Sequence, residues 1–449
     1  MKSKLWLFLG VLLLAPLGAG QAEVKSKFEL EIYGYVKTDV VYQHGLGVLD
    51  TQIIWAAPGN MKWYPDPKQN IGRVRNQDFN TFLINSFQTR FGFLVTGPEA
   101  HGIWSRGRIE GDFYSKFPQY GSDYGADYKF PANADPETNK GTLMLRRATV
   151  EFGQDWWEIL AGNEWMVASP IFPHLNNYPY GAEIGNLGYR VPQVRLTLNA
   201  LKKKIQLQVA VDNKVGDPGY KDMDTGRADI QPTVEFGLLY NGTLSGKPLK
   251  FGFTGHQGSD GRVCSDGKWR GQTVPSYSYN LDWIIPLWKF TLSGEAFTGA
   301  NLDGWFTGAQ GDGWIYDPHG GGFQALKDQG GWIELMLTPV KDLDVLAGYG
   351  IDDKNDDQLD HGRAIVESVP ALAGAGSNKA ITKNQMYWGA VNYRLNSAVM
   401  LSAEYMQVLT TYGLANHHQE RAAGLPLANQ FKYEQGKADR YTLAFWFMF

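Results

Sequence analysis

Residues 440–449 read RYTLAFWFMF, and the reading of this stretch decides the fold. Tyr441, Leu443, Phe445, Phe447 and Phe449 share one parity and are all apolar, whereas Arg440, Thr442 and the small Ala444 take the other. Successive side chains of a strand point to opposite faces, so the spacing predicts a strand with one apolar and one mixed face. A soluble sandwich strand alternates in the same way. An aromatic-rich face at the chain end suits a lipid-facing strand that pairs on both sides, because hydrocarbon leaves no backbone group an alternative partner. The rest of the chain must then supply the other strands of a closed barrel.

Alternating segments of bilayer-crossing length recur at 31–43, 87–97, 103–114, 143–152, 157–166, 189–200, 202–212 and 232–240. They continue at 248–257, 274–285, 287–297, 331–338, 343–351, 384–395, 399–409 and 440–449. The connections alternate between long and short. Long ones span 45–86, 115–142, 167–188, 213–231, 258–273, 298–330, 352–383 and 410–439, and short ones centre on Pro98, Gly153, Leu201, Gly246, Pro286, Pro339 and Asn396. This asymmetry predicts an all-β transmembrane antiparallel β-barrel of about 16 strands, with short periplasmic turns, long extracellular loops and both ends in the periplasm. A soluble α/β enzyme would carry helical periodicity in its long connections, but these are rich in Gly, Pro, Asp and Asn.

A chain of 449 residues could hold two or three soluble domains, yet a large barrel uses the same length in one sheet, so residues 23–449 are read as one barrel domain. With 53 Gly, 15 Trp, 23 Tyr and 23 Phe and a slightly negative mean hydropathy, the composition is too polar for a helical membrane protein. Alternating faces average out in a barrel. Lys2 and Lys4, the apolar run 5–17 and Gly20-Gln21-Ala22 read as a secretory signal over residues 1–22, cleaved to leave Glu23 first. Cys264 is the single cysteine, which excludes an internal disulfide and a Cys-x-x-Cys-His haem site, and no cofactor is expected. A net charge of -4 without a polybasic tail gives no reason to expect nucleic acid.

Charge assigns the faces. A basic side chain on the lipid face near the midplane costs roughly 2 to 4 kcal/mol, enough to set the parity of most strands. Phe91, Phe93 and Val95 should meet lipid, and Gln88, Arg90 and Thr96 the lumen. The same rule turns Lys37, Asp39, Arg106, Arg108, Glu110, Asp112, Arg147, Glu151, Arg195 and Lys204 inward. Glu235, Asp282, Glu295, Glu334 and Glu404 follow, with Lys250, Lys289, Arg394 and Arg440 among them. Arg146 cannot share the side of Arg147, so a bulge or a rim position is expected there. Tyr277, Trp283, Trp288, Tyr387, Tyr393 and Tyr441 are candidates for interfacial girdles. About sixteen strands leave an aqueous lumen, for which conduction is the default function.

Other chemistry is thinly represented. His101, His174, His319, His361, His417 and His418 fall in connections, and without a Gly-x-Ser-x-Gly turn or a strand-borne Ser and His pair the chain is not read as an enzyme. The acidic run 352–357 with Asp360 departs from the helix-loop-helix calcium pattern, because Gln358 replaces its Gly and Ala364 its final Glu. It reads as a solvated loop, and His417-His418 as an isolated pair rather than a metal site.

With Tyr33-Gly34-Tyr35-Val36-Lys37, Gln88-Thr89-Arg90-Phe91-Gly92, Leu145-Arg146-Arg147-Ala148 and Leu160-Ala161-Gly162-Asn163-Glu164-Trp165, the chain resembles a Gram-negative outer-membrane porin, most of all the DcaP-like branch. These motifs are short, but the similarity runs over most of the mature chain. The resemblance implies a homotrimeric channel in outer-membrane lipid for small, often carboxylate-bearing solutes, with Arg90 and Arg147 at matching lumen positions. It also implies that the terminal aromatic pattern is read by the barrel-assembly machinery, and that the loop after the fifth strand, residues 167–188, folds inward as a constriction. An ordinary extracellular loop is the alternative. If the loop folds inward, Glu183 and Glu164 would face Arg90, Arg106, Arg108, Arg147 and Arg195 across the gap, and opposed charges make a transverse field that aligns anionic solutes. Mutual neutralisation of Arg106 and Arg108 by Glu110 and Asp112 is the competing reading. Members of the branch often carry an N-terminal coiled coil, for which residues 23–29 leave no room. The expected function is a passive porin channel for small polar or anionic solutes. The alternative is a structural barrel or receptor, such as a sheath for an outer-membrane redox partner, which would need its lumen clear.

Overall fold

The computed structural model describes residues 28–47, 53–57, 62–63, 74–114, 143–178, 180–212, 232–263, 269–302, 313–317, 322–355, 358, 381–412 and 434–449. The expected signal segment, Cys264, His319, His361, Asp356, Asp357, Asp360, His417 and His418 lie outside the described residues. The barrel strands are β1 (Glu29–His44), β2 in two pieces (Asn80–Asn85 and Arg90–Thr96), β3 (Trp104–Asp112), β4 (Met144–Gln154), β5 (Trp157–Trp165) and β6 (Arg190–Ala200). Then come β7 (Ile205–Asp212), β8 (Thr233–Leu244), β9 (Lys247–Val263), β10 (Trp269–Leu287) and β11 (Phe290–Ala300). The last are β12 (Lys327–Val340), β13 (Leu343–Lys354), β14 (Ile381–Arg394), β15 (Val399–Tyr412) and β16 (Glu434–Met448). Each pairs antiparallel with its sequence neighbours and β1 pairs with β16, so the sheet closes.

The closing strand is the stretch that first suggested a barrel. Its ladder with β1 runs from Tyr35 opposite Met448 to His44 opposite Asp439, and Gly34 and Phe449 exchange backbone bonds of 2.9 and 3.1 Å. Tyr441, Leu443, Phe445, Phe447 and Phe449 are 50–54% exposed, whereas Arg440, Thr442 and Ala444 are buried. The alternation continues around the wall, where Ile32, Ile109, Val150, Val194, Leu238, Leu281 and Leu335 are exposed. Leaving one large apolar side chain in water costs roughly 1.5 to 3 kcal/mol, so such a belt is stable only against hydrocarbon. A closed sheet with an apolar belt is a bilayer-spanning barrel. Of the girdle candidates, Trp288, Tyr387, Tyr393 and Tyr441 are exposed, and Tyr277 and Trp283 are half-buried.

The adjacency of Arg146 and Arg147 is resolved by a bulge. Glu110 pairs with Arg147 and Gly111 with Leu145, which leaves Arg146 as the extra residue and turns both guanidinium groups inward. Several strand limits differ from expectation. β2 starts at Asn80 and breaks over 86–89, where Thr89 Oγ1 accepts from Lys37 N at 3.2 Å and donates to Lys37 O at 3.3 Å in place of the ladder. Polar Ser86, Gln88 and Thr89 hid the continuation, because a break erases the period. β9 and β10 reach Val263 and Trp269, past the 257 and 274 limits read from alternation, since polar side chains beyond the lipid belt need not alternate. β7 starts at Ile205: Leu201, Lys202 and Lys203 take φ of 50, 57 and 65°, which makes a turn. Lys204 and Lys289 are therefore exposed in or beside short turns rather than inward.

Candidate functional site

Residues 166–189 have no neighbouring strand of their own, so their backbone groups need other partners. Carboxylates on the wall provide them. Glu235 on β8 accepts from Ala168 N at 2.7 Å, Glu295 on β11 from Leu187 N at 3.2 Å, Glu334 on β12 from His174 N at 3.0 Å, and Glu404 on β15 from Asn176 N at 2.6 Å. On the other walls Lys37 Nζ donates to Asn176 O at 2.7 Å, and Asn384 Nδ2 to Glu183 O at 2.8 Å. A segment bonded to β1, β8, β11, β12, β14 and β15 of a closed barrel lies inside it. The bond from His174 Nδ1 to Glu334 Oε1, 2.6 Å, raises the His174 pKa against the opposing effect of burial.

A second segment enters beside it. Asn177 and Ile53 exchange two bonds, Ile53 N to Oδ1 at 3.0 Å and Nδ2 to Ile53 O at 2.9 Å. Ala56 N donates to Thr410 Oγ1 at 2.8 Å, and Tyr412 Oη to Ala56 O at 2.7 Å. Ile53, Ile171, Leu175 and Ile184 then pack with Trp332, Met386, Trp388 and Met406, a hydrophobic core inside the lumen.

The opposite wall, β2 to β6, carries an arginine cluster. Arg106 Nε donates to Glu151 at 3.0 Å, and Arg147 Nη2 and Arg108 Nη1 reach Glu164 Oε2 at 2.6 and 3.4 Å. Arg146 holds Glu110 at 3.1 Å and Asp112 at 2.6 Å. Arg195 donates to Trp165 O at 2.7 Å. Arg90, Arg106, Arg108, Arg146, Arg147, Arg190 and Arg195 thus stand over Glu110, Asp112, Glu151 and Glu164, seven cations over four acids. Glu158, near the turn, pairs with Lys203. Side-chain exposure separates the two signs: 35% for Arg106, 22% for Arg147 and 16% for Arg90 and Arg108, against 5–8% for Glu110, Glu151 and Glu164. The acids lie beneath with Arg146 and Arg190, and the guanidinium groups of Arg90, Arg106, Arg108 and Arg147 meet the water.

A solved structure matches this fold almost end to end. The outer membrane channel DcaP of Acinetobacter baumannii is similar over 95% of this chain and 98% of its own, with a TM-score of 0.65 and 14% identity. The chain has the porin fold. The anion-selective porin from Comamonas acidovorans is similar over 94% of this chain and 100% of its own, at a TM-score of 0.53 and 11% identity. Salmonella typhi OmpF in complex with daunomycin covers 94% and 98%, at 0.50 and 12%. No family model and no curated protein matches the sequence.

Within this porin fold the anticipated residues fall into two groups. Arg90, Arg106, Arg108, Arg147 and Arg195 share one wall, with Glu110 and Glu151 under them rather than beside them. Arg106 and Arg108 are paired, though with Glu151 and Glu164 instead of Glu110 and Asp112. Glu183 does not stand across open water: it is 2% exposed, with its carbonyl held by Asn384 on the far wall. Glu164 belongs to the arginine wall itself.

Two features escaped the sequence reading. Tyr178 and Tyr180 are the loop groups that meet the arginines, at 2.8 Å from Arg146 and 3.4 Å from Arg90. Their signal was an aromatic pair in a Pro-rich connection. A strand-borne Ser and His cluster also exists: His256 on β9 lies 2.8 Å from Ser278 Oγ and 2.9 Å from Ser276 Oγ on β10, and Ser276 donates to Asn301 O. All three are at most 2% exposed, so the cluster fills the wall and does not meet the lumen.

Proposed function

We propose that this porin-fold barrel is a passive channel of a Gram-negative outer membrane, through which small polar and anionic solutes, carboxylates among them, diffuse past Arg90, Arg106, Arg108, Arg147 and Arg195. The observation that carries the reading is the surplus of guanidinium groups at the water's edge above buried acids. A carboxylate passing this wall finds planar donors that bind it bidentately, already extended by Glu151 and Glu164 from behind. Each exposed pair is weak enough to exchange, which conduction requires. Residues 166–189 act as the constriction that brings solutes to the wall. A sheath around a redox partner would need a clear lumen, and the bonds of this segment to opposite walls favour the channel instead. The similarity to an anion-selective porin supports the same reading. A homotrimer, inserted by the barrel-assembly machinery, is part of the proposal.

The test is reversal potential in a salt gradient across a planar bilayer, for the purified protein and for Arg90→Ala and Arg147→Ala. Open steps with anion preference that falls in both variants are expected. Folded protein without conductance would sink the reading.

A further inference from the structure

The groups that reach the arginine wall from residues 166–189 are phenols. Tyr178 Oη accepts from Arg146 Nη1 at 2.8 Å and from Arg190 Nη2 at 3.0 Å, and Tyr180 Oη from Gln88 Nε2 at 2.8 Å and Arg90 Nη2 at 3.4 Å. An oxygen that receives two donors, at least one of them cationic, is placed as an anion would be. Around Tyr180 stand Arg90 from β2, Lys37 and Tyr35 from β1, Arg146 from β4, and Tyr178 from its own segment. Each nearby carboxylate already has a partner: Glu110 lies 3.1 Å from Arg146 and 3.9 Å from Arg90, Asp39 is 3.2 Å from Lys37, and Glu404 accepts from Asn176 N at 2.6 Å.

We propose that Tyr180 is the titratable counter-charge of the constriction: neutral in mild acid, and in mild alkali a phenolate that offsets Arg90 and weakens the lumen's preference for anions. This rests on the channel reading above. Burial opposes ionisation of Tyr180, but Arg90, Arg146 and Lys37 outweigh it and bring the pKa to about 8. Arg190 and Arg146 lower that of Tyr178 against burial in the same way. Tyr180 is partly exposed, so its proton leaves to lumen water, whereas Tyr178 is 1% exposed and serves to hold the segment.

The experiment measures the chloride-to-potassium permeability ratio of single channels between about pH 6 and about pH 10, the latter the ordinary phenol value. For the native chain the ratio should fall by roughly two- to five-fold in one step centred near 8, as expected for one screened unit charge at about 4 Å. Tyr180→Phe should conduct with a ratio that stays flat across that step, and Tyr178→Phe should retain the step. In Arg90→Gln, the tyrosinate absorbance of Tyr180, taken as the difference from Arg90→Gln with Tyr180→Phe, should develop at higher pH than in the native chain. A conducting Tyr180→Phe channel that keeps the step overturns this proposal alone, as does an unmoved absorbance midpoint in Arg90→Gln. A folded barrel that does not conduct overturns the channel reading and this proposal with it.

Discussion

The two walls of the lumen both carry inward-pointing charges, yet they use them differently. On β8, β11, β12 and β15, Glu235, Glu295, Glu334 and Glu404 give their oxygens to backbone N–H groups of the inward segment. On β2 to β6, acids lie beneath arginines, whose outer nitrogens reach water. One wall is a dock, and the other is the proposed surface for solutes. The difference teaches that an inward charge is defined by what lies over it, because a carboxylate covered by the segment it bonds is out of a solute's reach, whereas a guanidinium with five donors can hold an acid and still present two more.

The largest effect should come from undermining the arginine wall from behind. Arg146→Ala leaves Glu110 and Asp112 buried without their closest cation, and about 3 to 5 kcal/mol of stability should be lost, read as a lower urea midpoint in lipid vesicles. An unchanged midpoint would mean that the bulge is not held by these pairs. Next, Glu404→Ala on the dock wall removes the charged acceptor of Asn176 N, and about 1.5 to 3 kcal/mol should go. There the current should become noisier as the segment loosens, while anion preference stays as in the native chain. If selectivity falls as much as in Arg147→Ala, the two walls are not separate in function.

Arg147→Ala sharpens the contrast from the other side. It should lower the chloride preference by roughly two- to five-fold, the work of one screened charge, with the unfolding midpoint moving by less than in Arg146→Ala because Arg147 is 22% exposed. The smallest effect concerns His174, which is half exposed. Its folded pKa is raised by Glu334, so its contribution is complete below the ordinary value of about 6.5 and fades as pH rises through the raised one. Stability should therefore decline slightly over that window in the native chain and stay level in His174→Ala.

Much of the wall was legible in the sequence. Alternation and the cost of charge in lipid placed Arg106, Arg108, Arg147 and Arg195 on one side of their strands, and the neighbouring Arg146 called for a bulge or a rim position, of which β3 and β4 form the bulge. The dock was less legible. Parity turned Glu334 and Glu404 inward, but nothing local distinguishes an acid that meets water from one that meets an amide. Glu183 misled for the same reason, since an acid in an inward loop can face either wall or neither. His256, Ser276 and Ser278 are on separate strands, and only the register of β9 with β10 brings them together.

By itself, then, the sequence determined the strand order, the two faces of most strands and the closing role of residues 440–449, because a period of two and the contrast between lipid and water act within a few residues. The tertiary structure alone decided which inward charges remain free, where the phenols of Tyr178 and Tyr180 land, and that Asn177 ties a second segment into the lumen. Those outcomes depend on contacts between residues such as Asn176 and Glu404, far apart along the chain and neighbours only once the sheet has closed.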